Sequence, residues 1–151
     1  INPTMNLGSG DISRLPFIEI ENNQQIVTLV RQCIEDSELE WKSREIFWYF
    51  IQNELIRIKG QDLEESFDLY QQYWKNKFFQ LHQNEEDLNR QFIEIYGLQD
   101  ELTPDVPLED ITILQDELDR KELANLNKKL VRNPQTYAVT NYHELELPFI
   151  F

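Results

Sequence analysis

Apolar residues recur at intervals of three and four along most of the chain. In QQIVTLVRQCIED the set is Ile26, Leu29, Val30, Cys33 and Ile34, the stripe of an amphipathic helix. Asn22 or Asn23 stands before it as a cap. Ahead of that, FIEIE alternates as a short strand does, with Ile18 and Ile20 on one face. Ser37 and Glu40 have capping-box spacing and predict a second helix. Its run from Trp41 to Ile58 is apolar on most sides, which predicts burial on much of its circumference and allows a break near Ser43. Gly60 is placed to end it in the left-handed conformation. Asp62 and Glu65 start a third helix, with Leu63, Phe67, Tyr70, Trp74, Phe78 and Leu81 on its stripe. Asn84 and Asp87 start a fourth, with Leu88, Phe92 and Ile95. Gly97 ends it, and Leu98 folds back onto the last turn. Pro104 and Pro107 forbid a regular helix between them. A final helix falls within ITILQDELDRKELANLNKKLV, stopped by Asn133-Pro134, with Lys128, Lys129 and Arg132 where the dipole favours cations. An extended tail, YAVTNYHELELPFIF, follows. The expected fold is mainly α: a bundle of about five helices with short extended or β segments at both ends.

Composition supports this and narrows the function. The 151 residues fit one domain, 40% are hydrophobic, and only four are glycine, too few for a turn-rich sandwich. There are 14 Lys+Arg against 28 Asp+Glu, a formal net charge of -14. Such a surface repels phosphate backbones, which disfavours autonomous nucleic-acid binding. Cys33 is the only cysteine, so no internal disulfide forms, in keeping with a cytoplasmic protein. No apolar run approaches the roughly 20 residues of a membrane span, and no signal-peptide pattern is present. A soluble chain is expected.

Reactive constellations are sparse. GSGD lacks the strand-to-helix setting and the lysine of a phosphate loop. His82 and His143 are far apart in sequence, and no spacing supports a zinc site. Glu85 and Glu86 could form an acid–base pair, but charges that help a helix start explain them more simply. Cys33 reads as a small buried apolar residue. The aromatic stripe of the third helix could stack nucleobases, yet Glu64, Glu65 and Asp68 beside it favour core packing. RNPQTY departs from the Asn/Asp-Pro-Pro-Tyr/Phe motif of amino-methylating DNA methyltransferases and reads as a helix stop and turn. No catalytic, cofactor-binding or metal-binding residue is assigned.

Three stretches carry a family resemblance. NPTMNLGSGDISRLPF resembles the NPT-x-N-F-x-x-GDI-x-x-(I/L)-P segment of the adenine-specific DNA methyltransferases of bacterial phage-exclusion (BREX) systems, the PglX-like family. Asn2, Pro3, Thr4, Asn6, Gly10, Asp11, Ile12, Leu15 and Pro16 match, and Leu7 replaces the usual Phe. EWKSREIFWYF is similar to W-x-S-x-E-x-x-W-x-F through Trp41, Ser43, Glu45, Trp48 and Phe50. NEEDLNRQFIEIYGLQDELTP is the most specific, through Asn84, Glu85, Leu88, Asn89, Phe92, Ile93, Tyr96, Gly97, Leu98, Gln99, Asp100, Glu101, Leu102, Thr103 and Pro104. The resemblance ends after about Asp119. More loosely, Leu15-Pro16 followed by Gln24-Gln25-Ile26-Val27 resembles the end of a recognition domain in restriction specificity subunits.

The resemblance implies an extended connector over 1–21 that follows a catalytic domain, a helical spacer domain over 22–132, and a tail of undetermined role over 133–151. It implies a whole protein that transfers a methyl group from S-adenosylmethionine to the N6 of adenine in DNA, in phage defence. This chain matches the non-catalytic helical region and itself carries no cofactor. Its implied partners are the catalytic and DNA-recognition domains of the same or a longer chain, with DNA contacted only indirectly and no membrane. A different reading is a stand-alone acidic interaction protein, such as a DNA mimic or anti-restriction module. That would set carboxylates in rows on one exposed face.

Overall fold

The computed structural model describes residues 10, 13–19, 23–44, 48–50 and 52–150. Four α-helices lie among them: α1 (Gln24–Lys42), α2 (Glu54–Arg57), α3 (Leu63–Tyr96) and α4 (Arg120–Asn127). One-turn 3-10 helices cover Leu108–Asp110 and Tyr142–Glu144. Among the described residues, pairing between extended segments is limited to two isolated antiparallel bridges, Leu118 with Phe149 and Arg132 with Val139. The fold is mainly helical, as the periodicity predicts. No helix among the described residues is long and apolar enough to cross a membrane.

Two expected helix starts lie inside helices. Ser37 does not cap. Its hydroxyl donates to the Cys33 carbonyl at 2.9 Å, one turn back, and α1 runs on to Lys42. Asn84 does not cap either. It is 2% exposed in the middle of α3, accepting from Gln80 at 2.9 Å and reaching Gln32 on α1 at 3.4 Å. Neither Gly nor Pro interrupts the chain there, so the backbone ladder continues through it. The expected third and fourth helices are one helix of 34 residues, about 51 Å long at 1.5 Å per residue.

The other termini are set by local chemistry. Asn23 caps α1 by accepting from the Ile26 amide at 3.2 Å. Asp62 accepts from the Glu65 amide at 2.9 Å, while the Glu65 carboxylate takes the amide of Gln61 instead of that of Asp62. At the far end Gly97 has φ 68°, its amide reaches Glu94, and the Leu98 amide reaches the Ile93 carbonyl at 2.9 Å. This is a complete Schellman stop. Gly60 has a different reason from the one expected. It is not left-handed; its amide donates to Ser66 Oγ at 2.9 Å, and a Cβ there would lie 2.6 Å from the Ser66 nitrogen. The first turn of α3 approaches too closely for any side chain.

The run from Trp41 to Ile58 departs most from expectation. The break near Ser43 is present, but only the single turn of α2 follows, capped by Asn53. Trp48 is 97% exposed and Ile56 61% exposed, so no element among the described residues buries that surface. Ile46, Phe47 and Ile51 lie outside the described residues, as do Ile20, Asn6, Asp11 and Ile12. The final helix is shorter than its leucines predict. Leu114 takes φ 57°, which turns the chain and delays α4 until Asp119 caps it through the amides of Lys121 and Glu122. That conformation costs roughly 1–2 kcal/mol for an L-residue. It is held by burial of the Leu114 side chain and by its amide, which donates to the Glu40 carboxylate at 3.3 Å.

The core forms where α3 meets everything else. Trp74, Phe78 and Leu81 pack with Leu108, Ile113 and Leu118 of the long connection and with Leu123 of α4. The tail joins the same cluster through Leu145 and Leu147. It is fastened by amide bonds from Asp119 to the Pro148 carbonyl and from Ile150 to the Glu117 carbonyl, both 2.9 Å. Helix α1 lies along α3, and α2 rests on its first half, with the Arg57 guanidinium 5.0 Å from the centre of the Tyr73 ring.

The two structural glycines should respond differently to substitution. Gly97→Ala should lower stability by about 1 kcal/mol through the left-handed cost alone, and Gly97→Asn by less. Gly60→Ala should cost more, because backbone must move. Urea midpoints compared across the three variants check this order.

Candidate functional site

His82 and Glu86 lie four residues apart on α3 and therefore share one face. Both are buried, at 0% and 2% exposure. The segment after α4 brings Arg132 to them, the tail brings Tyr142, and the connection brings the Val106 backbone. Arg132 grips Glu86 in a fork, Nη1 to Oε2 at 2.8 Å and Nη2 to Oε1 at 2.7 Å. The Val106 amide donates to Glu86 Oε1 at 3.1 Å. His82 Nε2 lies 2.7 Å from the Val106 carbonyl, which can only accept, so Nε2 carries the proton. Nδ1 is then the acceptor for the Tyr142 hydroxyl at 2.5 Å. A neutral imidazole satisfies every partner.

The electrostatics agree with that assignment. Burial is the largest influence on His82 and holds its pKa below the ordinary imidazole value, against the pull of Glu86 and Asp105. Burial opposes ionisation of Glu86, yet the Arg132 fork, His82 and the Val106 amide together hold its carboxyl below the usual range. Burial pushes the Tyr142 phenol up. Glu85, one residue from Glu86, is pushed up by burial alone. Burial, followed by the carboxylates of Glu85 and Asp36, raises the Cys33 thiol to about 11, so it is a protonated, unreactive group at neutral pH. His82 and Glu86 have all their polar atoms engaged and no open face for a substrate. The arrangement is a latch between helix and tail. Glu85 and Glu86 do not sit at a helix start, and their roles diverge. The His-x-x-x-Glu spacing was visible in the sequence; the expected break at Asn84 concealed it.

A second polar cluster joins α1, α3 and the turn after Leu114. Glu40 pairs with Arg44, Arg44 reaches Asp116 at 3.1 Å, and the Tyr70 hydroxyl donates to Glu117 at 2.6 Å. Among the described residues no group of three or more His, Cys, Asp or Glu is arranged to hold a metal ion.

The sequence-marked residues of the third stretch gather at the end of α3. Asn89, Phe92, Ile93, Tyr96, Leu98, Leu102 and Thr103 line a groove of about 290 Å³. Asn89 donates to the Pro104 carbonyl at 3.3 Å, and the Tyr96 hydroxyl to the Pro16 carbonyl at 3.2 Å. Gly97 and Leu98 make the stop, and Asp100 and Glu101 sit exposed in the turn beyond it. Leu88 is half-buried one turn before the groove. Elsewhere, Trp41 and Trp48 are exposed and Asn84 is buried against α1. The carbonyl of Gly10 accepts from Ser13. The structure thus brings Asn89, Tyr96, Gly97, Leu98 and Pro104 together and leaves Trp41, Trp48 and Asn84 apart from them.

Removing one member of the latch should be costly. Arg132→Met leaves Glu86 buried beside a single backbone donor and a neutral imidazole, and should lower stability by roughly 3 kcal/mol; adding Glu86→Met should recover much of that. Acid should act on the same residues. The folded pKa of His82 is depressed, so its contribution is complete above the unfolded value of 6.5 and falls as the pH drops below it. Glu86 has the same sign, with its loss starting below 4.5. Glu85 runs oppositely, losing its contribution as pH rises from 4.5. Urea midpoints should therefore fall between pH 6.5 and 5, and His82→Gln, which keeps a donor and an acceptor, should flatten that fall.

No protein-family model matches the chain, and no solved structure matches it. Over 125 residues it is 34% identical to the adenine-specific methyltransferase PglX of Lacticaseibacillus casei (strain Zhang). The match covers 80% of this chain and 10% of that protein, so the chain spans about a tenth of the length of the relative. The likeness is to a segment of an adenine-specific methyltransferase.

Proposed function

We propose that this chain is the non-catalytic helical spacer of a longer, S-adenosylmethionine-dependent N6-adenine DNA methyltransferase, of the kind that marks self DNA in bacterial phage exclusion. The carrying observation is the 34% identity over 125 residues, which form only a tenth of the methyltransferase they match. The mechanical properties of the chain support the same reading. Helix α3 is a rod of about 51 Å, and it is braced along its length. Tyr70 is tied to Glu117, Lys75 to Glu146, Lys77 to Asp36, Glu86 to Arg132 and Tyr96 to Pro16. These ties come from four different parts of the chain and hold the rod at several points along its length. A spacer of this kind contributes distance and angle between catalytic body and DNA-recognition part, and its share of catalysis is orientation of the target base. The net charge of -14 leaves DNA contact to other parts of the protein.

Two measurements test this. The isolated chain should give no binding heat with S-adenosylmethionine in calorimetry; micromolar binding would refute the reading. In the longer methyltransferase, replacing this segment by a Gly/Ser linker should leave S-adenosylmethionine affinity intact and lower DNA methylation by at least about tenfold, the loss expected when orientation is given up. Unchanged methylation would show that the segment positions nothing.

A further inference from the structure

The groove at the end of α3 is apolar and open, and three exposed carboxylates, Glu94, Asp100 and Glu101, lie on the segments that form it. Phe92 is 38% exposed and Leu102 52% exposed across its mouth, with Ile93 and Leu98 half-buried behind them. Its backbone needs no ligand. The Gly97 and Leu98 amides bond to Glu94 and Ile93, and the Glu101 and Leu102 amides bond to the Leu98 carbonyl at 3.0 and 2.9 Å. The bond from Tyr96 to the Pro16 carbonyl sets two more exposed apolar residues, Leu15 and Phe17, beside the same wall. Glu94 on the last turn of α3 and Asp100 and Glu101 in the following turn are all exposed, and none has a cationic partner among the described residues. The nearest guanidinium on α3, that of Arg90, is committed to Asp87.

We propose that this groove receives a protein segment with a leucine or phenylalanine anchor flanked by lysines or arginines. The anchor would fill the space between Phe92 and Leu102, and the flanking cations would meet Glu94, Asp100 and Glu101. Charge decides among the occupants. A nucleic acid or an anionic membrane brings phosphates against three unpaired carboxylates. A second copy of the chain brings the same three carboxylates and another net charge of -14. A basic segment gains steering from the rim and affinity from the anchor. The inference does not depend on the methyltransferase reading, because it uses only the surface of this chain.

The test is fluorescence anisotropy with the full chain and a labelled synthetic peptide carrying a central Leu-Phe pair between runs of arginine and lysine. The peptide should bind, more weakly as salt is raised, and a version with Ser-Ser at the centre should bind about tenfold more weakly or worse. Leu102→Ser, at a half-exposed position, should weaken binding to a similar degree. Leu102→Glu separates docking from bulk attraction: an electrostatic cloud alone would bind the added charge more tightly, whereas an anchor pocket binds it less. Asp100→Asn with Glu101→Gln should lower the affinity and flatten its salt dependence while leaving the fold untouched. Absence of binding, equal binding of the Ser-Ser peptide, tighter binding to Leu102→Glu, or dimerisation of the chain through Leu102 would each overturn the proposal.

Discussion

Most helical stability in proteins comes from packing of the apolar face, so the 34 residues of α3 depend on what covers that face. Everything else in this chain is arranged around that constraint. The stripe of α3 that carries Tyr70, Trp74, Phe78 and Leu81 is covered from one side by α1 and from the other by the connection after Leu108 and by the tail. Neither the connection nor the tail has enough regular structure to stand alone. Among the described residues they are paired by two isolated bridges, a handful of backbone hydrogen bonds and side-chain ties such as Arg132 to Asp105. They are ordered because the helix offers them a surface, and the helix is buried because they accept it.

Apolar packing alone would let these irregular segments slide. Buried charge fixes their register. Glu86 is the sharpest case: with 2% exposure its carboxylate is tolerable only where two guanidinium donors and the Val106 amide converge. Moving Arg132 along the rod by one residue would strand it. The same logic places Asp36 of α1 against Lys77 at 2.6 Å, and Glu40 against both Arg44 and the amide of Leu114. Such pairs contribute less to net stability than apolar residues of equal size would, but they discriminate between alignments that apolar surfaces treat alike.

What could be read from the chain in advance was what is decided within a few residues. The caps at Asn23 and Asp62, the glycine stop at Gly97 and the turn at Asn133-Pro134 are local hydrogen-bonding problems with local answers, although α4 ends at Asn127, before the helix stop expected at Asn133-Pro134. The failures share a cause. Ser37 and Asn84 have cap chemistry, but their side chains found other partners, one turn back or on another helix. Leu114 has no local reason to be left-handed; a carboxylate 74 residues away holds its amide. Gly60 is glycine because of Ser66, not because of its own dihedral angles. The latch was half legible, as His82 and Glu86 stand at helical spacing, but Arg132 and Tyr142 come from segments after α4 whose docking no short-range pattern announces. The groove was legible as a run of residues and not as a surface, because only the turn after Gly97 folds Leu102 back beside Phe92.

The internal pairing also shapes what the surface presents. Lys42, Arg44, Arg57, Lys75, Lys77, Arg90 and Arg132 are all engaged in ion pairs with carboxylates of this chain. Arg44, Lys75, Lys77 and Arg132 join separate segments, Lys42, Arg57 and Arg90 pair within their own helices, and Glu94, Asp100 and Glu101 stay exposed with no cationic partner among the described residues. With a Debye length of about 8 Å at physiological salt, their field acts on neighbours and not at long range. In the spacer role proposed above, such a surface would disfavour contact with the duplex. A net charge of -14 is repelled by phosphate and attracted to cationic protein surfaces. Under that proposal the two features act together: the ties between segments hold the chain in register, and the acidic excess limits which surfaces it can lie against.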